Sequence, residues 1–465
     1  MPSVIMSDSI NADIEVDCLI IGGGAAGLTA ALSASEAGES VLVAERDATL
    51  SGSTALSSGL VPAAGTRVQA AQSIADSQSA FFDDIMAKNK HSADPDHVRT
   101  IVAQVPRTID WLAEHHGIPF HVLDDFLYPG HSHHRMHAVP EVTGQGLITR
   151  LEQAVANTET MIVTGARVTD LVLSTEGEVI GAHCERPDGT REAIAAQRTI
   201  LACNGYGGNP DLVARYIPEM RDALYFGHPG NQGEAILWGE QLGAVPTHLS
   251  GYQGHGSVAH PHGILVTWAL MMEGGIQINL EGRRFSNEHQ GYSEQAVAVL
   301  AQPDRTAFNI FDSRLRDLGQ KFEDFRNAEE SGAVITADTL DALAGRIGVD
   351  AAALAATMQD CAALATSGEP DQYGRVFDAA TLLSPPYCAV KVTGALFHTQ
   401  GGLLVDAEAR VRRADGSVFK TLFACGGAAC GVSGPDVSGY LSGNGLLTAL
   451  ALGHLAGGHE GGDVA

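Results

Sequence analysis

Gly22, Gly24 and Gly27, in the run GGGAAG, follow directly on the apolar stretch VDCLII (16–21) and open the helix-forming segment LTAALSASEAG. A second apolar stretch, SVLVAE (40–45), ends in an acid, Glu45, 18 residues past Gly27. Residues of these types at this spacing hold a dinucleotide. Gly22 allows the tight turn out of the strand, and Gly24 lets backbone N–H groups approach a pyrophosphate. Gly27, with Ala26 beside it, allows close packing of helix on strand. The helix N-terminus adds partial positive charge for the phosphates. Glu45 is placed to accept hydrogen bonds from a ribose diol. By itself the fingerprint serves NAD and FAD alike.

Two other groups of residues invite chemistry and support less of it. The run HSHHRMH (131–137) places His133 and His137 four apart, but Pro129 and Gly130 make the segment a loop. A metal site needs converging ligands with a second shell, so no metal is expected. Cys425 and Cys430 are separated by four intervening residues within a Gly/Ala loop, and the seven cysteines form no CxxC or CxxCH. Small buried side chains are the expectation for them, not a redox pair or a c-type haem site.

The elements that must position these residues belong to a chain of 465 residues, 45% hydrophobic and 18% charged. That length makes two domains the prior. A net charge of −27 argues against a nucleic-acid or anionic-membrane partner. The N-terminus lacks a basic segment followed by an apolar one, and no run of 18 apolar residues occurs. With an odd number of cysteines in apolar surroundings, these features lead to the expectation of a cytoplasmic protein. An oligomer is compatible with all of this. The tail GGHEGGDVA is expected to be disordered.

The loop after the second strand, GSTALSSG (52–59), with Ser53, Thr54, Ser58 and Gly59, resembles the FAD-wrapping loop of the fumarate reductase and 3-ketosteroid dehydrogenase flavoproteins. The resemblance recurs along nearly the whole chain. TGARVTDLVLSTEGEVIGAHC (164–184), containing Val168, is similar to the family's β-hairpin beside the adenine. TILACNGYGGNPDLV (199–213) supplies Cys203, Asn204 and Gly205, and PGNQGEAILWGEQLGA (229–244) supplies Gly233. GGIQINLEGRRFSNE (274–288) and HTQGGLLVD (398–406) match two further signatures. GGAACGVSG…GYLSGNGLL (426–447) resembles the final flavin loop and helix, with Gly427, Gly443, Asn444, Gly445 and Leu446. The resemblance implies FAD, with Arg46 beside Glu45 among its contacts. It is expected to be non-covalent, because Ser53-Thr54 offers no histidine for attachment. The implied fold is α/β: a discontinuous Rossmann-like FAD domain of the glutathione-reductase type, 1–248 and 386–465, with an inserted α+β capping domain at 249–385. Ser384-Pro385-Pro386 marks the return, and 303–385 reads as polar and helical. A cap of this kind would exclude water from a hydride-transfer site.

At the site the resemblance divides. Fumarate-type members move a proton through an arginine backed by a glutamate and a second arginine. Where the family reads LVTEAVRG, this chain reads LVTWALMM (265–272): Thr267 and Ala269 match, while Trp268 and Met271 replace the charged pair. Tyr292 occupies the arginine's slot after RF-x-NE, and GYLSGNGLL lacks the family's C-terminal arginine. A dianion in such a pocket would be costly to bind. Ketosteroid dehydrogenases resemble the chain more closely here, with tyrosines matching Tyr292 and Tyr440, the latter in a Tyr-x-Ser arrangement with Ser442. A phenol can polarise a ketone or relay a proton without an anionic substrate. His255 and His398 fall where the fumarate branch places substrate ligands, and Arg135 is the nearby cation that could hold one carboxylate. The implied activity is an FAD-dependent dehydrogenase or reductase of the CH–CH bond next to a carbonyl, acting on a small molecule with an external electron acceptor or donor. The alternative is a fumarate-reductase-like enzyme of a di- or tricarboxylate using His255, His398 and Arg135.

Overall fold

The computed structural model describes residues 2–124 and 127–458, so the tail expectation falls, from His459 onward, outside the described residues. The chain divides into two compact units. One comprises Met1–Pro218, Gly227–Tyr252 and His398–Ala465, and the other Glu219–Phe226 and Gln253–Phe397.

In the first unit the apolar stretches become the expected strands. β1 (Ile14–Ile21) is buried along its C-terminal half because both faces of the sheet are covered there. The helix α1 (Ala25–Glu36) follows it, then β2 (Val41–Ala44) and β3 (Arg191–Leu201). β1 lies between β3 and β2, all parallel, and β2 pairs in turn with Met161–Val163. A late strand, β4 (Val418–Ala424), joins β3 in parallel through Thr199–Leu201. The hairpin Arg167–Leu173/Val179–Glu185 is antiparallel and leads into β3. Ten consecutive residues of α1 are buried, Ala25 to Ala34, so the helix has no solvent face in its first two and a half turns. Its partner is α2 (Asn444–Gly457), which approaches so closely that a Cβ on Gly453 would lie 2.5 Å from the Ala26 carbonyl oxygen. Alanine and glycine along both helices permit that contact.

The second unit is built on a sheet whose long strand Tyr387–Thr399 pairs antiparallel with Thr306–Asp312, and that one with Ile276–Ile278. Val334–Ala337 pairs with the long strand as well. The return to the first unit therefore falls at His398 and not at Pro386, because Tyr387–Phe397 is committed to this sheet. The segment 303–385 is also less helical than its composition suggested. TAFNIFD (306–312) is a strand buried at all seven positions, its apolar and aromatic residues serving the core. Helices Leu340–Ile347 and Ala351–Ser367 do form, each with a side-chain N-cap (Thr339 and Asp350) and a left-handed glycine at the C-terminus. Among the described residues no helix is long and apolar enough to cross a membrane.

Candidate active site

The first unit assembles the nucleotide residues around the start of α1. Gly22 has φ +112°, and a Cβ there would lie 2.5 Å from the Ala202 carbonyl oxygen. A Cβ on Gly27 would lie 1.9 Å from the carbonyl oxygen of Gly22, so the turn and the helix touch at that point. Gly24, the N-cap, has only the Thr54 hydroxyl in front of it, 3.6 Å from where a Cβ would stand. That hydroxyl accepts from the Ala25 amide at 3.1 Å, tying the 52–59 loop to the helix N-terminus. Glu45 accepts from the backbone N–H groups of Gly23 and Asp47 at 2.8 and 2.9 Å, and its own carbonyl accepts from Ala166, two residues before Val168. Arg46 pairs with Glu234 at 3.3 Å, Asn231 donates to Ser53 at 2.8 Å, and Gly233 donates to the Gly205 carbonyl. Asn204 adopts φ +65° and closes a turn onto the Gly205 amide, against Gly427. Burial beside these residues pushes the Cys203 thiol up to about 12, so it is a neutral wall and no nucleophile. Ser58 is exposed; its neighbour Ser57, not singled out in the sequence, ties the loop through Thr54 and Gly59.

Two orphaned acceptors test whether FAD fits. Among the described residues, Glu234 Oε2 and Asn444 Oδ1 are buried with no hydrogen-bond partner. Asn444 is fully buried at the first position of α2, whose N-cap, Gly443, supplies no side-chain bond. An acceptor next to uncapped amides matches the alternating N–H and C=O edge of an isoalloxazine. The residues present fit the cofactor.

Around that helix start lie three further residues of the first unit. The His398 ring packs against Gly445, and a Cβ there would come within 3.0 Å of two of its atoms. His398 meets Tyr440 edge-on at 5.5 Å between centroids. The Ser442 carbonyl accepts from His131 Nε2 at 3.0 Å, which anchors the 440–443 loop. Arg135 has a different task from the one expected of it. Its guanidinium is fully buried, bonded through Nε and Nη2 to Asp76 and through Nη1 to Asp84, and stacked 4.5 Å over Phe81. Two protein carboxylates already engage this cation, and it does not serve as a substrate carboxylate ligand. His133 and His137 diverge: His137 bonds Thr66 and the Arg135 carbonyl, while His133 turns to Ser132.

The second unit carries a compact aromatic group. His255 stacks on Tyr292 at 4.8 Å, meets Trp268 edge-on at 5.8 Å and touches Phe397 at 5.4 Å. Phe397 stacks in turn on Phe226 at 4.7 Å. His255 Nδ1 accepts from the Ser257 amide at 3.1 Å, so in the neutral ring the proton sits on Nε2. Burial pushes this imidazole down to about 3 and leaves it uncharged at neutral pH. The Trp268 Nε1–H is buried and has no partner among the described residues, while its ring joins an apolar cluster with Val266, Leu270 and Met271. Thr267 caps its own turn through Ala269 at 3.3 Å. Tyr292 opens the helix Tyr292–Leu300, and the RF-x-NE motif before it explains how that start is fixed. Glu288, fully buried, accepts from Arg284, Arg375 and the Gln277 amide, and these pairs hold its carboxyl down to about 2 against the desolvation that opposes them. Phe226, Phe397, Ser257 and Arg375 were not anticipated. Only Ser257 and Phe397 had a local signal, as close neighbours of the two histidines.

Burial also holds His131, His137, His398 and His454 down to about 4. The unfolded chain, with histidines near 6.5, binds more protons than the folded one as pH falls from about 6.5 toward 4, so stability is full above that window and is lost within it. A falling melting temperature between pH 7 and pH 5, read by circular dichroism, is the expected result. A flat profile would show that these rings are not neutral by burial.

The class defined by this fold and site is an FAD-dependent oxidoreductase acting on CH–CH bonds. Residues 17–446 match the family described as FAD binding domain, and the chain belongs to that family. It is 29% identical over 443 residues to a probable fumarate reductase, Ifc3, of Shewanella frigidimarina (strain NCIMB 400), covering 94% of this chain and 74% of that one. It superposes on the open conformation of a flavocytochrome c3 fumarate reductase with a TM-score of 0.81 at 27% identity, covering 96% of this chain and 78% of the other. A 3-ketosteroid-Δ4-(5α)-dehydrogenase from Rhodococcus jostii RHA1 gives 0.77 at 23% identity, covering 98% of both chains, a likeness of fold alone.

Proposed function

We propose that the enzyme oxidises or reduces the CH–CH bond next to the carbonyl of an uncharged or singly charged ketone or acid, in the manner of the ketosteroid branch. Bound FAD, held non-covalently, supplies hydride exchange at its N5. The observation that carries this reading is the pairing of each candidate tyrosine with a histidine: Tyr292 with His255, and Tyr440 with His398. Both imidazoles are held neutral by burial, and the guanidinium groups of Arg135, Arg284 and Arg375 are committed to protein carboxylates. A dianion would enter such surroundings without a counter-charge, at a cost of several kcal/mol per buried charge on the order given for real proteins. A ketone oxygen asks only for hydrogen-bond donors, which phenols and neutral imidazoles provide. One of the two tyrosines, Tyr292 or Tyr440, moves the α-proton or polarises the carbonyl, and His398 offers the carbonyl a donor.

The second reading, reduction of a di- or tricarboxylate, is favoured by the similarity to the probable fumarate reductase. Anaerobic reduction of the flavin followed by addition of a cyclic enone or of fumarate separates the two. Return of the visible flavin absorbance with the enone and not with fumarate is the expected outcome. Reoxidation by fumarate alone would reverse the assignment.

A further inference from the structure

Behind His398 the first unit holds a continuous line of buried polar side chains. His398 Nδ1 lies 2.9 Å from Gln400 Nε2, Gln400 Oε1 accepts from the Ser433 hydroxyl at 2.6 Å, and Ser433 accepts from Asn444 Nδ2 at 2.9 Å. Gln400, Ser433 and Asn444 are all at least nine-tenths buried, so each of these groups depends on its neighbour. Each member gives its proton toward the imidazole, and the last one, Asn444, is left with an Oδ1 that has no partner among the described residues.

We propose that Gln400 is a positioning residue that fixes the proton of His398 on Nε2, so that this ring offers the substrate carbonyl a donor and never an acceptor, while Asn444 Oδ1 at the far end is the acceptor for a flavin N–H. The proposal rests on the reading of His398 as a carbonyl-polarising group. The chemistry of the line gives it only two self-consistent directions. With the amides as placed, Nδ1 accepts and Nε2 is protonated. With both amides turned over, Nδ1 would donate to Gln400 and to the Thr399 carbonyl 3.3 Å away, and a buried N–H of Asn444 would be left over in place of its carbonyl. As placed, the line from Asn444 through Ser433 to Gln400 brings an amide N–H to Nδ1 at 2.9 Å, and only this direction gives a carbonyl substrate a donor. His255 shows the same polarity, with Nδ1 accepting from a backbone amide. The flavin end asks for the first direction too, since an acceptor at Asn444 complements a ring N–H.

Gln400→Glu tests the assignment in the FAD-loaded full chain. A carboxylate of the same shape can only accept, so it draws the proton to Nδ1 while still taking the Ser433 hydroxyl. The first readout is the side-chain nitrogen spectrum of 15N-histidine-labelled protein, with the His398 signal identified by its loss in His398→Asn. The expected result is an Nε2–H imidazole in the unaltered enzyme and an Nδ1–H or doubly protonated ring in the variant. The second is kinetic: kcat on an enone falls roughly tenfold to a hundredfold, the scale of a displaced acid–base group, with FAD content unchanged. If the buried glutamate prevents folding, Gln400→Met removes the donor instead, and the single tautomer should give way to a mixture. An Nδ1–H ring in the unaltered enzyme, or a Gln400 variant with the same tautomer and the same kcat, overturns the proposal. If His398→Asn keeps full turnover, the functional reading of His398 fails, whereas the spectrum still decides the role of Gln400.

Discussion

Tyr292→Phe should lower kcat by about a hundredfold or more, the range associated with removing a proton-transferring side chain, while the purified protein stays yellow and carries its full complement of FAD. The substitution is a clean probe because of how the ring is held. Tyr292 stacks on His255 at 4.8 Å and begins its helix directly after Gly291, and a phenylalanine keeps both the stack and the helix start. The His255 tautomer, set by the Ser257 amide, is likewise untouched. What disappears is the hydroxyl, with its acidic proton. Loss of rate with unchanged FAD content and an unchanged melting temperature therefore assigns the loss to chemistry. Turnover equal to that of the unaltered enzyme would take Tyr292 out of the mechanism and leave the proton to Tyr440.

Gly27→Ala should empty the nucleotide site, with FAD content falling below about a tenth of stoichiometric. The added methyl would stand 1.9 Å from the Gly22 carbonyl oxygen, and the neighbour that must give way is backbone, not a side chain. Overpacking of this kind costs on the order of 1–3 kcal/mol where the surroundings can adjust. Here α1 is buried along ten residues and packed on α2, so the strain is passed to the turn that faces the pyrophosphate. The measurement is the ratio of flavin released on denaturation to protein. A variant that binds FAD stoichiometrically would show that the turn tolerates the shift.

The nucleotide half was legible because its determinants are local. The strand, the glycines, the helix and Glu45 all fall within residues 16–45, and each has a steric or hydrogen-bonding reason visible in the residue types. Tyr292, His255 and His398 became candidates through the resemblance of the motifs around them to those of a known family. Arg135 was misread because its partners are remote: Asp76 and Asp84 lie 59 and 51 positions earlier, and nothing in HSHHRMH announces that its cation is already paired. Arg375, 87 positions from the Glu288 it neutralises, was invisible for the same reason. Trp268 was identified as a replacement for a charged residue, but its apolar neighbours and its unpartnered indole N–H emerge only from packing. Thr306–Asp312 was hidden by the polar helices that follow it in sequence. Gln400 could have been found by asking which side chain two residues on from His398 can reach the ring.

The first unit is made of three stretches of chain, and its sheet and its pyrophosphate helix are completed by β4 and α2, near the C-terminus. A ribosome adding about 5–20 residues each second takes roughly 20–80 s to travel from α1 to α2. Until α2 emerges the alanine face of α1 lacks that neighbour, and from its own synthesis until β4 emerges one flank of β3 lacks its own. Gln253–Phe397, by contrast, emerges as one continuous block and can settle first. The module begun earliest is thus the last to close, and a nascent chain stalled before residue 418 displays an apolar helix and a bare strand margin to the chaperones of its cell.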